Sequence, residues 1–272
     1  MPLTAELPSA VRYLVPGVMG GIVCFAFSRW LIAPLISTAV AYEGDREHAE
    51  AVLAGEAHGH GHELFSRSVQ ENVGAAVGIV AFAVAMGVLF VVAYTAIRSA
   101  IERRGGTADP TGLALLLSAG MFGAITLLPG LKYPPNPPTV GLEETIGARS
   151  SAFLTITVAS VIAACVATAA GLAWSRRWGN WPAAALASGG YGAVMLAACT
   201  VLPGFHEVPG PLSGPDGILI EGFPAQVLAD FRVYSLLNQA LMWATIGVTW
   251  ALLSRLAARS RRRSFGMGYV AA

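Results

Sequence analysis

The residues best suited to chemistry are five histidines, His48, His58, His60, His62 and His206, all in polar stretches or at the edge of one. Three of them alternate with glycine in HGHGHE, His58 to Glu63, where the glycines disfavour regular structure and leave the imidazoles on a loose tether. Imidazole is the commonest side-chain ligand for divalent first-row metals, and adjacent carboxylates add oxygen donors. His58, His60, His62 and Glu63, with His48 close by and His206 in a later connection, are therefore candidate ligands for Zn²⁺, Ni²⁺, Co²⁺ or Cu²⁺. The tract alone fits equally a tether that binds metals without biological purpose. Its place on an acidic face of the protein favours capture.

A second group is gathered in LPGLKYPPNPPTVGLEETIGARS, Leu128 to Ser150, which holds the only lysine of the chain. Four prolines stiffen the connection between two apolar runs. A weaker copy, LPGFHEVPGP, spans Leu202 to Pro211, and Asp230 and Arg232 follow it at the start of the last apolar run. Lys132, Tyr133, Asn136, Glu143, Glu144 and Arg149 are candidates from the first turn; His206, Glu207, Asp230 and Arg232 are their counterparts. Charges at such positions usually snorkel or pair across the interface, the expected role for Lys132, Arg149 and Arg232. Gathered on one face they can also line an entrance. Asn238 and Gln239 lie inside the last run, as glue between helices or as the lining of a path. Arg67, Arg149 and Arg232 recur 82 and 83 residues apart, the mark of a hairpin unit used three times.

The elements that hold these groups are set by hydropathy. With 55% hydrophobic and 12% charged residues and a mean hydropathy of +0.61, the chain falls outside soluble usage. Six runs are nearly free of charge: Tyr13 to Ile36, Val73 to Ile97, Thr111 to Leu131, Ser150 to Ser175, Trp178 to Phe205 and Val233 to Ser254. Each has roughly the 20 residues that cross about 30 Å of hydrocarbon as a helix. The expected fold is an all-α integral membrane protein of six transmembrane helices, arranged as three repeated hairpins. It forms one transmembrane domain over 1–272, with a His-rich outer loop at 37–72 that carries a short surface helix at Asp45 to Leu53. Gly17 and Gly21, and Gly74 and Gly78, have the spacing of close helix contacts. Arg29, the one charge inside a run, is near enough to an end to snorkel. Ala39, Val40 and Ala41 resemble a cleavage site, but the preceding stretch is long for a secretory leader and is read as a retained span.

Charge sets the orientation. Eleven basic residues lie in the termini and in the second and fourth connections, against the three acids Glu6, Glu102 and Asp109. The remaining connections carry most of the acids and all the histidines. The positive-inside rule then makes both termini cytoplasmic and the outer face acidic, so a net charge of only +1 conceals a strong polarity across the bilayer. Cys24, Cys165 and Cys199 all lie in spans and are expected to be unpaired.

Several chemistries have no footing. The single lysine is not in a phosphate-binding GxxxxGK[ST] loop, His206 and Glu207 do not form HExxH, the spans hold no histidine pair for haem, and no GxSxG elbow occurs. No enzyme activity and no nucleic-acid partner are expected.

The Leu128 to Ser150 segment resembles the central signature of the CbtA family of predicted cobalt transporter subunits, close to LPxLKYPxNPPxVGxxETIGxRT. HGHGHELFSRSVQENVG is similar to that family's histidine-rich first loop and the start of its second helix. FHEVPG and FPAQVLADFRVYSLLNQALMWATIG are similar to its last outer loop and final helix. His206 stands where the family has Asn, and the stretch Leu212 to Gly222 is longer than usual. The resemblance implies a multi-pass inner-membrane protein that brings in Co²⁺ for cobalamin synthesis, often beside a small membrane subunit with its own histidine motif. Carried over residue by residue, metal capture falls on His58, His60 and His62; Lys132, Asn136, Glu144 and Arg149 belong to the signature. The leading expectation is a divalent metal importer subunit. The other is a non-transporting structural subunit of a larger membrane complex, since the spans hold amides where an ion path usually has acids or histidines. Ligand types do not separate cobalt from nickel, copper or zinc.

Overall fold

In the computed structural model, residues 7–55, 73–215 and 217–268 are described. Helix α1 (Leu7–Phe27) passes through a π-helical turn at Ser28–Ile32 into α2 (Ala33–Ala54). Helix α3 covers Ala75–Arg103. Helix α4 (Pro110–Met121) runs through a second π-helical segment, Phe122–Leu127, into the short α5 (Leu128–Lys132). A 3₁₀ turn at Glu143–Thr145 opens α6 (Ile146–Trp178), and Gly179 separates it from α7 (Asn180–Val201). Strands β1 (Leu212–Gly214) and β2 (Gly217–Ile220) form an antiparallel hairpin before α8 (Ala225–Gly268).

Among the described residues, six helices are long and apolar enough to cross a membrane: Val11–Ala54, Ala75–Arg103, Pro110–Lys132, Glu143–Trp178, Asn180–Val201 and Ala225–Ala257. The protein is an all-α membrane protein. Its surface agrees, for Trp181 is 88% exposed, Val201 83% and Trp30 78%, apolar area of the kind that a lipid surround covers. Cys24, Cys165 and Cys199 are all unpaired.

The first span runs further than its apolar residues. Residues 37–54, expected to begin the outer loop and to hold a separate surface helix, continue the same helical rod. Alanine, glutamate and leucine are strong helix formers, so the helix outlasts its hydrophobic pattern. It stops at Gly55, whose φ of 68° and N–H bonds to the Ala51 and Val52 carbonyls close the last turn. The hairpin in the fifth connection is new to the structure. Leu212 pairs with Ile220, Ser213 with Ile218 and Gly214 with Gly217, with a bulge after Leu212 that absorbs the unequal strand lengths.

The described residues fall into two compact units: those within 1–26, 72–122 and 238–272 form the first, and those within 27–71 and 123–237 the second. In the first, α1 lies tightly on α3. A Cβ at Gly17 would sit 2.6 Å from Val84 Cα, and one at Gly21 would sit 2.8 Å from Val80 Cα. The Gly17/Gly21 pair thus makes the close approach its spacing implies, while Gly74 and Gly78 face open space. Trp243, Phe90, Met242 and Ile246 fill the core.

In the second unit α6 packs along α7, with Ile156 and Ser160 completely buried. The Ser160 hydroxyl donates to the Ala124 carbonyl at 2.6 Å and lies 2.8 Å from Tyr191 Oη. Ala124 belongs to the π-helical segment, where the regular backbone ladder is shifted, and a neighbouring hydroxyl supplies the donor an α-helix would have provided.

Candidate functional site

The proline turn is the best-anchored connection of the second unit. Helix α5 cannot continue past Lys132, because Pro134, Pro135, Pro137 and Pro138 lack N–H groups and bias the residues before them to extended conformations. Chain direction is recovered at Thr139, the one non-glycine residue with positive φ (75°) among the described residues. A β-branched residue in that region is strained and must be held by its surroundings. Its hydroxyl donates to the Ala39 carbonyl of α2 at 3.2 Å. Val140, next along, is 5% exposed and inserts among Ala39, Phe223 and Leu228, flanked by Tyr42 and Val227.

Two arginines grip the turn from different helices. Arg149, in the first turns of α6, donates to the Leu142 carbonyl at 3.0 Å and to the Val140 carbonyl at 3.5 Å. Arg232, on α8, donates from Nε and Nη2 to Asn136 Oδ1 at 3.2 and 2.8 Å. Gly141 lies between, with φ of 128°, and a Cβ there would overlap the Arg149 guanidinium. Only glycine satisfies both conditions.

The second proline-rich connection supplies acceptors to this turn and to α2. Glu207 Oε2 accepts from the Leu142 N–H at 2.9 Å and the Thr145 hydroxyl at 2.7 Å, and lies 3.5 Å from Arg149 Nε. The Thr145 hydroxyl, then the Leu142 N–H, and more weakly the Arg149 charge, hold the Glu207 carboxyl below the usual range. Tyr133 Oη donates to the Pro203 carbonyl at 2.7 Å, and burial raises its phenol, keeping it a neutral donor. From α2, Tyr42 Oη donates to the Glu221 carbonyl at 3.1 Å and Arg46 Nη1 to the Gly210 carbonyl at 2.8 Å. The Tyr42 and Phe223 rings meet edge to face, with centroids 5.1 Å apart.

The expected site residues separate into two sets. Tyr133, Asn136, Arg149, Glu207 and Arg232 are drawn together and spent on holding the turn, so the arginines act by pairing. Lys132 is half-buried, with its ammonium 5.7 Å from the Tyr133 ring centroid, while Glu143 and Glu144 are exposed in the 3₁₀ turn. Asp230 accepts from Gln226 on its own helix. Of the expected metal ligands, His48 and His206 are exposed. Among the described residues no group of three or more His, Cys, Asp or Glu side chains could hold a metal ion. His58, His60, His62 and Glu63, with Arg67, lie outside the described residues.

In the sixth span Gln239 is half-buried, and the Asn238 carbonyl accepts from Cys24 Sγ at 3.3 Å. The Asn238 side-chain oxygen is buried and has no hydrogen-bond partner among the described residues. Tyr42, Arg46, Thr139 and Thr145 belong to the site and were not singled out by sequence. Three of them bond backbone carbonyls, which leave no trace in residue type. Tyr42 and Arg46 do share one face of α2 at i, i+4 spacing, a signal that a helical assignment of this stretch makes visible.

Residues 10–255 match the family model described as a probable cobalt transporter subunit (CbtA). The chain belongs to the CbtA family. The match takes in nearly the whole of the six apolar helices and every residue of the turn lattice. No curated protein and no solved structure shows significant similarity to the chain. Membership makes this CbtA protein a probable cobalt transporter subunit. A subunit implies further components of a complex, together with the lipid around its helices.

Proposed function

We propose that this CbtA protein is the membrane subunit of a cobalt importer, with both termini cytoplasmic and the acidic, histidine-bearing face outside the cell membrane. HGHGHE collects the divalent cation there and hands it to the helices near the proline turns. The family match carries the reading. The excess of arginine on the opposite face supports the orientation, and the acidic outer field raises the local concentration of cations.

The lattice supports capture in a further way. Helix α2, held through Ala39, Tyr42 and Arg46, ends at Ala54, only a few residues before His58. The helix that leads toward the histidine tract in sequence is therefore itself anchored to the two proline-rich connections. Three imidazoles and Glu63 give nitrogen and oxygen donors suited to Co²⁺, and equally to Ni²⁺, Zn²⁺ or Cu²⁺, so selectivity must come from geometry or partner. Glu144 and His206 add to the acidic and imidazole character of that face. Within the sixth span, the unpartnered Asn238 oxygen beside Gln239 is a group that an ion shedding water can use. A small histidine-bearing membrane subunit is the expected partner.

Radioactive cobalt uptake tests the reading. Cells that express the chain with its neighbouring subunit should accumulate cobalt faster than cells with the partner alone; equal rates would remove the importer assignment.

A further inference from the structure

The first unit contains a polar nest of its own. Trp250 of α8 is 5% exposed, and its indole stacks on Tyr13 with centroids 5.9 Å apart. Tyr94 and Phe90 of α3 meet the same ring edge to face at 5.4 and 6.5 Å. The Arg12 guanidinium lies over the indole at 5.9 Å and donates from Nη2 to the Leu253 carbonyl at 3.1 Å. Nearby elements close the nest: Tyr94 Oη donates to the Pro110 carbonyl at 3.3 Å, and Arg255 Nε to Thr111 Oγ1 at 2.9 Å, both in the first turn of α4.

Two donors here are left over. Arg12 Nε and Trp250 Nε1 are both buried and have no hydrogen-bond partner among the described residues. Arg12 also makes no ion pair among the described residues, and the two described acids in the adjoining connection are engaged elsewhere. Glu102 pairs with Arg98 at 2.8 Å, and Asp109 accepts from the Gly112 N–H at 2.6 Å as the cap of α4. Buried donors are nearly always satisfied, and a half-buried guanidinium without a carboxylate calls for an anion. A group that satisfied both donors would bring several acceptor oxygens and negative charge. Arginine beside indole N–H matches an oxyanion with forked acceptors, and the exposed Arg255, five residues further along α8 and bonded through Nε to Thr111, adds positive charge at the same end of the helix.

We propose that Arg12, Trp250 and Arg255 form a binding site for a phosphate group. Arg12 lies near the start of the first span and Trp250 near the end of the sixth, the level at which lipid headgroups sit, so the phosphate comes from an anionic phospholipid or from solution. The site is independent of cobalt transport and stands or falls without it.

The test uses full-length protein purified in dodecyl maltoside, a detergent without phosphate. Phosphatidylglycerol is titrated and followed by native mass spectrometry and by thermal unfolding; inorganic phosphate is titrated in a parallel series. Wild type should bind about one phosphatidylglycerol saturably and unfold at a higher temperature. W250F keeps the ring and loses the N–H, and R12K keeps the charge and loses Nε–H; each should bind roughly tenfold more weakly, the loss of one charge-assisted hydrogen bond. If phosphate stabilises the protein and the lipid adds nothing, the site takes the free anion, and the assignment of the three residues holds. If neither ligand binds wild type, or if folded W250F and R12K bind like wild type, the site does not exist.

Discussion

The two proline-rich connections look like a motif and its faded copy, yet they do opposite work in the second unit. The first, from Tyr133 to Leu142, has no regular structure and one strained residue, Thr139. It is held by side chains that come from elsewhere, Arg149 and Arg232, and contributes the apolar plug Val140. The second, from Leu202 to Pro224, builds its own hairpin and contributes acceptors: the carbonyls of Pro203, Gly210 and Glu221, and the Glu207 carboxylate. The first turn is therefore fixed from outside, while the second holds itself and its neighbours. Shared Leu-Pro-Gly openings mark where a helix stops; the residues beyond them decide which segment is gripped and which grips.

The largest expected effect that bears on this contrast is at glycine. Gly141→Ala forces a Cβ into the Arg149 guanidinium at a φ of 128°, and should destabilise the folded state by about 3 kcal/mol. Gly210→Ala, where a Cβ meets nothing within 4 Å, should change stability by less than about 0.5 kcal/mol. Thermal or denaturant unfolding in detergent measures both. Equal losses would break the asymmetry.

Next come the two arginines. Arg149→Gln removes donors to two backbone carbonyls and leaves Glu207 without its cation, an expected loss of about 2 kcal/mol. Arg232→Gln loses only its fork on Asn136, an exposed pair, at about 1 kcal/mol or less. A double substitution that costs less than the sum would show that both act on the same turn.

The smallest effect is in pH. The Glu207 carboxyl lies below its ordinary 4.5, so its contribution is complete above 4.5 and is lost as pH falls through the lower native value. The difference in unfolding midpoint between wild type and Glu207→Gln should stay constant from pH 7 to about 5 and shrink below pH 4.5. A difference that grows on acidification would contradict the assigned role.

The six spans and the all-α class were legible in the sequence because an apolar run that must satisfy its own backbone has one solution in lipid. Arg149, Arg232, Asn136 and Glu207 were visible as polar residues at the ends of those runs. Their purpose was not, since charges that line an entrance and charges that clamp a turn have the same composition. The helix at Asp45 to Leu53 was legible in its composition; its continuity with the first span was not, because polarity sets in at Tyr42 and Glu43 and made the stretch read as a piece apart. The hairpin at 212–220 was hidden by brevity, three and four residues between glycines. Ser160 carried no signal: a single hydroxyl in an apolar run looks like filler until the π-helical carbonyl of Ala124 is placed against it.

Whether the histidine tract feeds a cobalt importer is decided by radioactive cobalt uptake at limiting metal with His58, His60 and His62 changed together to Ala. The expected outcome is slower uptake at low cobalt, recovering as cobalt is raised, with the same amount of protein in the membrane. Uptake equal to wild type across the whole concentration range would contradict a role for the tract in transport.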